Sequence, residues 1–176
     1  MDFFIGAIDI LDEKVLSIKG GVNPELSAGT TILTVALRGG ELNWLSVGDS
    51  RLYIIRGGNI ARATRDHNYF LSLNEIMKAG AKNKEWFDKE AKRGEQLISY
   101  IGVGGVRIFD VNDAPFRTVS GDTVLLCTDG LYRALSDAEI LRRSDGRDPG
   151  AAIELLFDES KRRFDDNTTC IIINCE

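Results

Sequence analysis

Apolar residues recur at helical spacing over the first 19 residues of the chain. They are Phe4, Ala7, Ile8, Leu11, Val15 and Ile18, and this spacing places them on one face of an α-helix. Gly20, Gly21 and Pro24 come next, and residues of these types end helices. The pattern therefore predicts an amphipathic helix over residues 2–19.

Short apolar runs separated by turn residues follow this helix and predict strands. Gly39-Gly40 and Gly57-Gly58 each join two runs, and a Gly-Gly pair predicts a hairpin because glycine adopts positive φ at low cost. The first four predicted strands are 31–37, 42–47, 52–56 and 59–64. Five more are 96–101, 106–111, 116–119, 123–127 and 169–174.

Polar helical segments interrupt and follow these strands. Residues 68–98 are polar, and we interpret them as a surface insertion of two short helices. Ser136 and Glu139 have the spacing of a capping box that opens a short helix. Asp148 before Pro149 predicts an N-cap, followed by a helix through Leu156.

Hairpin-rich strands with helices before, between and after them predict an α+β sandwich. Residues 124–127 and 170–173 are continuous apolar runs. Such runs indicate strands buried on both faces, as where one sheet packs on another and helices cover the outside. The 176 residues are enough for one domain with its own core, so we expect a single domain over 1–176.

Composition narrows the functional classes. The apolar fraction is 43%, the charged fraction 28% and the formal net charge −5. Because Lys and Arg form no long block, we expect no general binding to nucleic acid or to an anionic membrane. No apolar run reaches membrane-spanning length. The three cysteines are odd in number and two lie in apolar strands, which favours reduced thiols and a cytoplasmic protein.

Two aspartates at strand ends are the main candidate functional residues. Asp129 directly follows the run 124–128, and Asp166 precedes the last strand. Asp49 and Asp66 lie in turns beside other strands. Carboxylates gathered at strand ends suit a hard divalent cation, Mn²⁺ or Mg²⁺, which prefers oxygen ligands. Taken singly, such an aspartate is more often a turn former or a helix cap.

Five short strings, in order, resemble the metal-dependent protein phosphatases of the type-2C family, especially the bacterial members. The strings are Gly29-Thr30-Thr31, Val47-Gly48-Asp49-Ser50-Arg51, Thr64-Arg65-Asp66-His67, residues 121–131 with Asp129-Gly130-Leu131, and Asp166-Asn167-Thr168-Thr169. Each string is weakly specific alone. The match to the family covers roughly residues 28 to 175, and the ordered set is much more specific than any one string.

The resemblance implies a fold, an activity and a set of ligands. The family fold is an α-β-β-α sandwich with a metal cluster at one end of two antiparallel sheets. The implied activity is hydrolysis of phosphoserine and phosphothreonine in proteins by a water that two metal ions activate. By resemblance, Asp129 and Asp166 are metal ligands and Asp66 helps to hold a third ion. Residues 68–98 occupy the place of the flap beside the active site.

One departure from the family pattern leaves the activity open. The family's strand ending in Asp-Gly-x-Gly-Gly, whose aspartate bridges the two main metals, does not occur in these 176 residues. The chain therefore resembles an N-terminally truncated member in which activity is impaired. The alternative is a catalytically inactive module that binds a phosphoprotein or a partner chain. Sheet edges left exposed by missing strands predict a homodimer.

Three further features have structural interpretations. His67 is the only histidine, and we interpret it as a structural hydrogen-bonding residue. Residues 101–105 are glycine-rich but lack the following helix of a nucleotide-binding loop, so a turn is the better interpretation. Cys127 lies in an apolar strand, where a thiol is a poor nucleophile.

Overall fold

The computed structural model describes residues 2–18, 28–164 and 166–176. The chain divides into two compact units, of which the first contains residues 1–34, 44–49 and 65–113. The second contains residues 35–43, 50–64 and 114–176. That the whole chain forms a single domain stays a prediction.

Helices precede, interrupt and follow two groups of strands along the chain. The helices are α1 (Asp2–Leu16), α2 (Tyr69–Lys78), α3 (Lys84–Glu90), α4 (Asp129–Tyr132), α5 (Asp137–Ser144) and α6 (Pro149–Arg163), with one 3₁₀ turn at Ala91–Arg93. The strands are β1 (Ile32–Arg38), β2 (Glu41–Val47), β3 (Arg51–Arg56), β4 (Asn59–Arg62), β5 (Asp110–Val111), β6 (Phe116–Arg117), β7 (Thr123–Cys127) and β8 (Cys170–Asn174).

The core of the first unit lies under helix α1. Ile8 of this helix is buried in one cluster with Leu45, Val47 and Ile101. Phe4, Leu11 and Val15 pack against this cluster, which confirms the predicted amphipathic helix. Ile18 is an exception, because it lies beyond the end of α1 and is 56% exposed. The glycines and proline predicted to end the helix lie outside the described residues.

The strand predicted at residues 96–101 is wrong. This segment makes two isolated bridges, Thr30 with Ile101 and Asn68 with Leu97. The N–H of Ile98 also donates to the carbonyl of His67 at 3.0 Å. Its backbone groups thus bond to several separate segments, so no continuous ladder with one neighbouring strand forms. The two short helices predicted within 68–98 are present as α2 and α3.

The second unit contains a four-stranded antiparallel sheet in the order β4-β3-β7-β8. All five residues of β7 are buried. One face of the sheet packs against helices α4, α5 and α6 through a cluster that includes Tyr53, Leu125, Leu131 and Leu156. The continuous apolar run at 124–127 therefore forms a central, fully buried strand, as predicted. The same prediction is wrong for 170–173, because β8 is at the edge of the sheet order and its Ile171 is 53% exposed.

Both predicted Gly-Gly turns are present. Gly39 and Gly40, between β1 and β2, have φ values of 57° and 77°. Gly57 and Gly58, between β3 and β4, have φ values of 55° and 72°. Two consecutive residues with positive φ form the hairpin turn whose twist matches the adjoining strands, and this conformation favours glycine at both positions.

The predicted helix starts are confirmed as well. The Glu139 carboxylate accepts hydrogen bonds from the backbone N–H of Ser136 at 3.0 Å and from its hydroxyl at 2.9 Å. These bonds, together with the Arg163 guanidinium, lower the pKa of Glu139 to about 2. The Asp148 side chain accepts from Ala151 N–H at 3.1 Å, and α6 then extends to Arg163, beyond the predicted end.

The α+β class with antiparallel sheets is therefore confirmed. None of the helices within the described residues is both long enough and apolar enough to cross a membrane.

Candidate metal centre

Asp129 opens the short helix α4 directly after the buried strand β7. Thr128 has extended backbone and is the N-cap, so Asp129 lies in the first helical turn, where a carboxylate interacts favourably with the helix dipole. Arg133 follows one turn later, and its Nε atom lies 3.2 Å from Asp129 Oδ2. The carboxylate is part-exposed and holds this guanidinium. Sequence reasoning predicted the aspartate but neither the helix nor the ion pair.

The loop that carries Asp166 packs against the start of α4. Thr128 N–H donates to the carbonyl of Thr169 at 3.0 Å, and Thr169 N–H donates to Thr128 Oγ1 at 3.0 Å. A Cβ at Gly130 would lie 2.5 Å from the carbonyl oxygen of Asn167, so only glycine permits this approach. The two predicted ligands therefore flank one end of the β7–β8 pair.

Asp66 belongs to the first unit, whereas Asp129 and Asp166 belong to the second. Its neighbours in sequence are both anchored to Asp110. Arg65 donates through its backbone N–H at 2.6 Å and through Nε at 2.9 Å. His67 Nε2 lies 3.4 Å from the same carboxylate. Asp66 is thus held between two fixed residues, and its role in holding a third ion stays a prediction.

The carboxylates at this site are the type of ligand that Mn²⁺ and Mg²⁺ prefer, but they are too few to hold a metal pair. Within residues 2–18, 28–164 and 166–176, no group of three or more His, Cys, Asp or Glu side chains is arranged to hold a metal ion. The pair Asp129 and Asp166 has the right chemistry, since both cations prefer carboxylate oxygens and retain several waters. Two carboxylates fit one weakly held ion and do not by themselves fit two bridged ions.

His67 is a structural residue, as the sequence suggested. Its ring is buried, and its Nδ1 accepts a hydrogen bond from Gly48 N–H at 3.1 Å. Its backbone N–H donates to the Gly48 carbonyl at 3.0 Å. Because Nδ1 is an acceptor, the proton of the neutral ring lies on Nε2, which faces Asp110.

Asp110 completes this cluster, and no sequence pattern pointed to it. Burial raises the pKa of its carboxyl, but hydrogen bonds from His67 and Arg65 outweigh burial and hold that pKa well below its ordinary value. Asp110 lies far from His67 in the chain, and its own strand β5 has only two residues. The contact is therefore visible only in the folded structure.

The glycine-rich segment 102–105 surrounds a carboxylate of the same chain. Backbone N–H groups of Gly102 and Gly105 donate to the Asp12 side chain at 2.6 Å and 2.5 Å. Burial raises the pKa of Asp12, yet these backbone hydrogen bonds lower it overall. The segment is a turn that anchors helix α1, which confirms the structural interpretation of this stretch.

Two other motif residues also stabilise the second unit. Asp122 is buried and forms a bidentate pair with Arg56, with both N–O distances at 2.6 Å. The Arg51 guanidinium stacks 3.5 Å from the ring centroid of Tyr132 on α4 and donates to Tyr53 Oη at 3.1 Å. Arg51 therefore supports the helix that carries Asp129.

Cys127 and Cys170 are poor nucleophiles near neutral pH. Cys127, Cys170 and Cys175 are all free thiols, and Cys127 is buried. Burial raises the pKa of Cys127 to about 12 and that of Cys170 to about 11. Because the thiolate is the reactive form, neither residue is suited to nucleophilic catalysis.

Known bacterial phosphatases are similar to this chain in sequence. The serine/threonine phosphatase Stp of Listeria welshimeri is 30% identical over 112 residues, which is 64% of this chain and 42% of the relative. Protein phosphatase PhpP of Streptococcus pneumoniae is 30% identical over 142 residues, covering 79% of this chain and 54% of the relative. The chain thus spans about half the length of these relatives. No protein-family model matches it.

Solved phosphatase structures share the fold. The PPM Ser-Thr phosphatase MsPP from Mycobacterium smegmatis, in complex with cacodylate, superposes with a TM-score of 0.76 at 26% identity. That match covers 98% of this chain and 72% of the other. The catalytic domain of PstP, in complex with two manganese ions, has a TM-score of 0.62 at 21% identity and covers 97% and 77%. The predicted resemblance is confirmed: this chain is similar in sequence and in fold to bacterial serine/threonine phosphatases of the type-2C family.

Proposed function

We propose that this chain is a metal-dependent phosphatase that acts on phosphoserine and phosphothreonine in proteins. The β7–β8 register and the Gly130 contact support the proposal, because they bring together the two segments that carry Asp129 and Asp166. The names of the Listeria and Streptococcus relatives support the activity and a phosphoprotein substrate. The three free thiols support a reducing, cytoplasmic compartment.

The cofactor that suits this site is Mn²⁺ or Mg²⁺. Asp129 and Asp166 would hold it, and Asp66 would contribute to a further ion. When bound, such an ion stabilises negative charge on phosphoryl oxygens and lowers the pKa of the attacking water. The protein's part is to hold two carboxylates at fixed strand ends. The manganese in the PstP structure supports this choice of metal.

We propose further that the 176-residue chain alone binds metal weakly and hydrolyses phosphate esters slowly. The reason is the ligand count, since the sequence lacks the Asp-Gly-x-Gly-Gly string whose aspartate bridges the metals in the family. With two carboxylates from one unit, a single ion is held and the attacking water is poorly positioned.

Hydrolysis of p-nitrophenyl phosphate and of a phosphothreonine peptide tests the proposal. We expect slow turnover with Mn²⁺ that EDTA abolishes and that Asp129→Asn and Asp166→Asn lower about tenfold or more. Asp145→Asn is the matched control, because Asp145 is exposed in the same unit at the end of α5. Turnover that is equal in wild type, Asp129→Asn and Asp145→Asn would contradict the assignment of Asp129.

The second candidate function is a phosphoprotein-binding module without catalysis. The ion pair of Asp129 with Arg133 favours it, because a guanidinium on a metal ligand competes with the metal. Binding of a fluorescent phosphothreonine peptide, with no release of inorganic phosphate at any Mn²⁺ concentration, would support this alternative. Strong Mn²⁺-dependent turnover would exclude it.

A further inference from the structure

Cys127 and Cys170 are direct cross-strand neighbours in the second unit. They are register partners at the ends of the antiparallel strands β7 and β8. Residues directly opposite each other in an antiparallel pair project to the same face of the sheet. Cys170 accordingly packs against the core cluster that contains Cys127. Both are free thiols.

The hydrogen-bond pattern identifies the kind of cross-strand pair. Thr128 N–H donates to the Thr169 carbonyl at 3.0 Å, and Cys175 N–H donates to the Asp122 carbonyl at 2.8 Å. These two bonds mark hydrogen-bonded pairs, which alternate along the ladder with non-hydrogen-bonded pairs. Cys127 with Cys170 is therefore a non-hydrogen-bonded pair, in which the Cα atoms lie about 4.5 Å apart.

This spacing is compatible with a covalent bond between the two sulfurs. Disulfides join residues whose Cα atoms are about 4.4–6.8 Å apart, so the strands need no large movement. The two thiols differ in access, since Cys127 is 4% exposed whereas Cys170 is part-exposed. A small oxidant can reach Cys170, where the pKa of about 11 makes oxidation slow near neutral pH. The buried Cys127 lies directly opposite as its resolving partner.

We propose that Cys127 and Cys170 form a reversible intrachain disulfide when the protein meets a peroxide. In the first step hydrogen peroxide oxidises the Cys170 thiol to a sulfenic acid and is reduced to water. In the second step the Cys127 sulfur attacks the sulfenic sulfur, the S–S bond forms and a second water leaves with the proton of Cys127. A dithiol reverses the bond by thiol–disulfide exchange.

The location of the bond gives it a consequence for the candidate metal centre. Cys127 is two residues before Asp129, and Cys170 is four residues after Asp166. The disulfide would link the two strand ends that carry these carboxylates. Oxidation would thereby fix the spacing of the segments on which the proposed function rests, although the disulfide can be tested without any activity measurement.

Peptide mapping tests the proposal in Cys175→Ala protein, which removes the third thiol. Trypsin releases Cys127 in the peptide 118–133 and Cys170 in the peptide 164–176. After treatment with hydrogen peroxide under native conditions and alkylation of the remaining thiols, we expect these two peptides linked, with the loss of two hydrogens. Dithiothreitol should release them, and circular dichroism should show that the fold persists.

Two controls make the result decisive. Additional Cys127→Ala or Cys170→Ala should each abolish the linked peptides, and an equal mixture of ¹⁵N-labelled and unlabelled protein should give no peptide of mixed isotope content. Links of mixed isotope content would show bonds between molecules and would overturn the proposal. Oxidation of Cys170 to the sulfinic acid in folded protein, without a link to Cys127, would also overturn it.

Discussion

The guanidinium of Arg133 lies one helical turn beyond Asp129, with Nε 3.2 Å from Oδ2 of that carboxylate. The pair is part-exposed, with side-chain exposures of 31% and 29%. A metal cation that binds this carboxylate must therefore displace Arg133 or share the carboxylate with it. Pairs of this exposure contribute about 0.2–1 kcal/mol, which is small enough for a divalent ion to overcome.

Removing this guanidinium should strengthen metal binding. We expect Arg133→Gln to tighten Mn²⁺ binding about two- to fivefold, the factor that corresponds to an exposed ion pair, and Asp129→Asn to weaken it strongly. Isothermal titration calorimetry measures both. Arg142→Gln, on the exposed face of α5, is the control and should leave the affinity unchanged. Weaker binding by Arg133→Gln would show that the arginine supports the site.

A methyl group at position 130 should disturb the contact between the two ligand segments. In Gly130→Ala, the new Cβ would lie 2.5 Å from the Asn167 carbonyl oxygen and 2.7 Å from Thr168 Oγ1. We expect a loss of about 1–3 kcal/mol in the free energy of unfolding, the usual cost of overpacking. Urea unfolding measures it.

Gly6→Ala is the matched control for that experiment. Gly6 lies inside helix α1, and nothing lies within 4 Å of its added Cβ. Alanine in a helix interior is more stable than glycine by about 0.5–1 kcal/mol, so this variant should gain stability. Equal effects of the two substitutions would contradict the tight approach at Gly130.

The features that sequence predicted best are those set by adjacent residues. Asp148 before Pro149, Ser136 with Glu139, and the Gly-Gly turns each act over a few positions, so local residue patterns alone identified them. The positions of Asp129 after one strand and of Asp166 before another were predicted from the resemblance and from the order of the strands. Antiparallel pairing then brings the end of one strand beside the start of the next.

The contacts that sequence did not predict are long-range. Asp12 and Gly102 are 90 residues apart, and neither position has a local pattern that indicates the other. The strand prediction for segment 96–101 was wrong because the local pattern favours a strand that the folded chain does not form. Its backbone instead bonds to His67 and Thr30, which lie in different parts of the first unit. Tertiary contacts override propensity in such cases.

The Asp110 cluster should make stability sensitive to acid. The pKa of this carboxyl is lowered in the folded state by His67 and Arg65, from an ordinary value of 3.8. A lowered folded pKa gives stability that is present above the unfolded pKa and is lost as pH falls through the folded pKa. The stabilising contribution of Asp110 should therefore decline below about pH 4.

Asp110→Asn tests this dependence. We expect the variant to lose about 1–3 kcal/mol near neutral pH, because charged hydrogen bonds to Arg65 are removed, and to show a flatter fall in stability between about pH 5 and pH 2. Unfolding in urea over that range gives the comparison. Asp113→Asn, an exposed aspartate three residues away, should match wild type. Parallel pH profiles for Asp110→Asn and wild type would contradict the linkage.

The flap segment 68–98 should exchange its amide hydrogens faster than the central sheet. Leu73 is the buried residue of α2, and α3 has none, whereas every residue of β7 is buried. Segments with few buried apolar contacts open at low free-energy cost. Hydrogen–deuterium exchange with mass spectrometry compares the two. Protection in α2 and α3 equal to that in β7 would show this prediction to be wrong.

A homodimer remains an expected property of the chain, and β8 gives it a structural basis. In the part of the chain that the structure describes, β8 lies at one edge of its sheet, with β7 as its neighbour. Ile171 on this strand is 53% exposed. An exposed apolar edge strand presents unpaired backbone groups that another strand can bind. We therefore expect two copies to associate through their β8 edges.

Light scattering at micromolar concentrations tests this association. The wild-type chain should have the mass of a dimer, and Ile171→Lys should shift it to the monomer, because a lysine on an edge strand prevents pairing. Leu155→Lys is the control, since Leu155 is 42% exposed and lies on helix α6, not on the edge strand. A monomeric wild type with a cooperative, stable thermal transition would show that the edge is tolerated and that the dimer prediction is wrong.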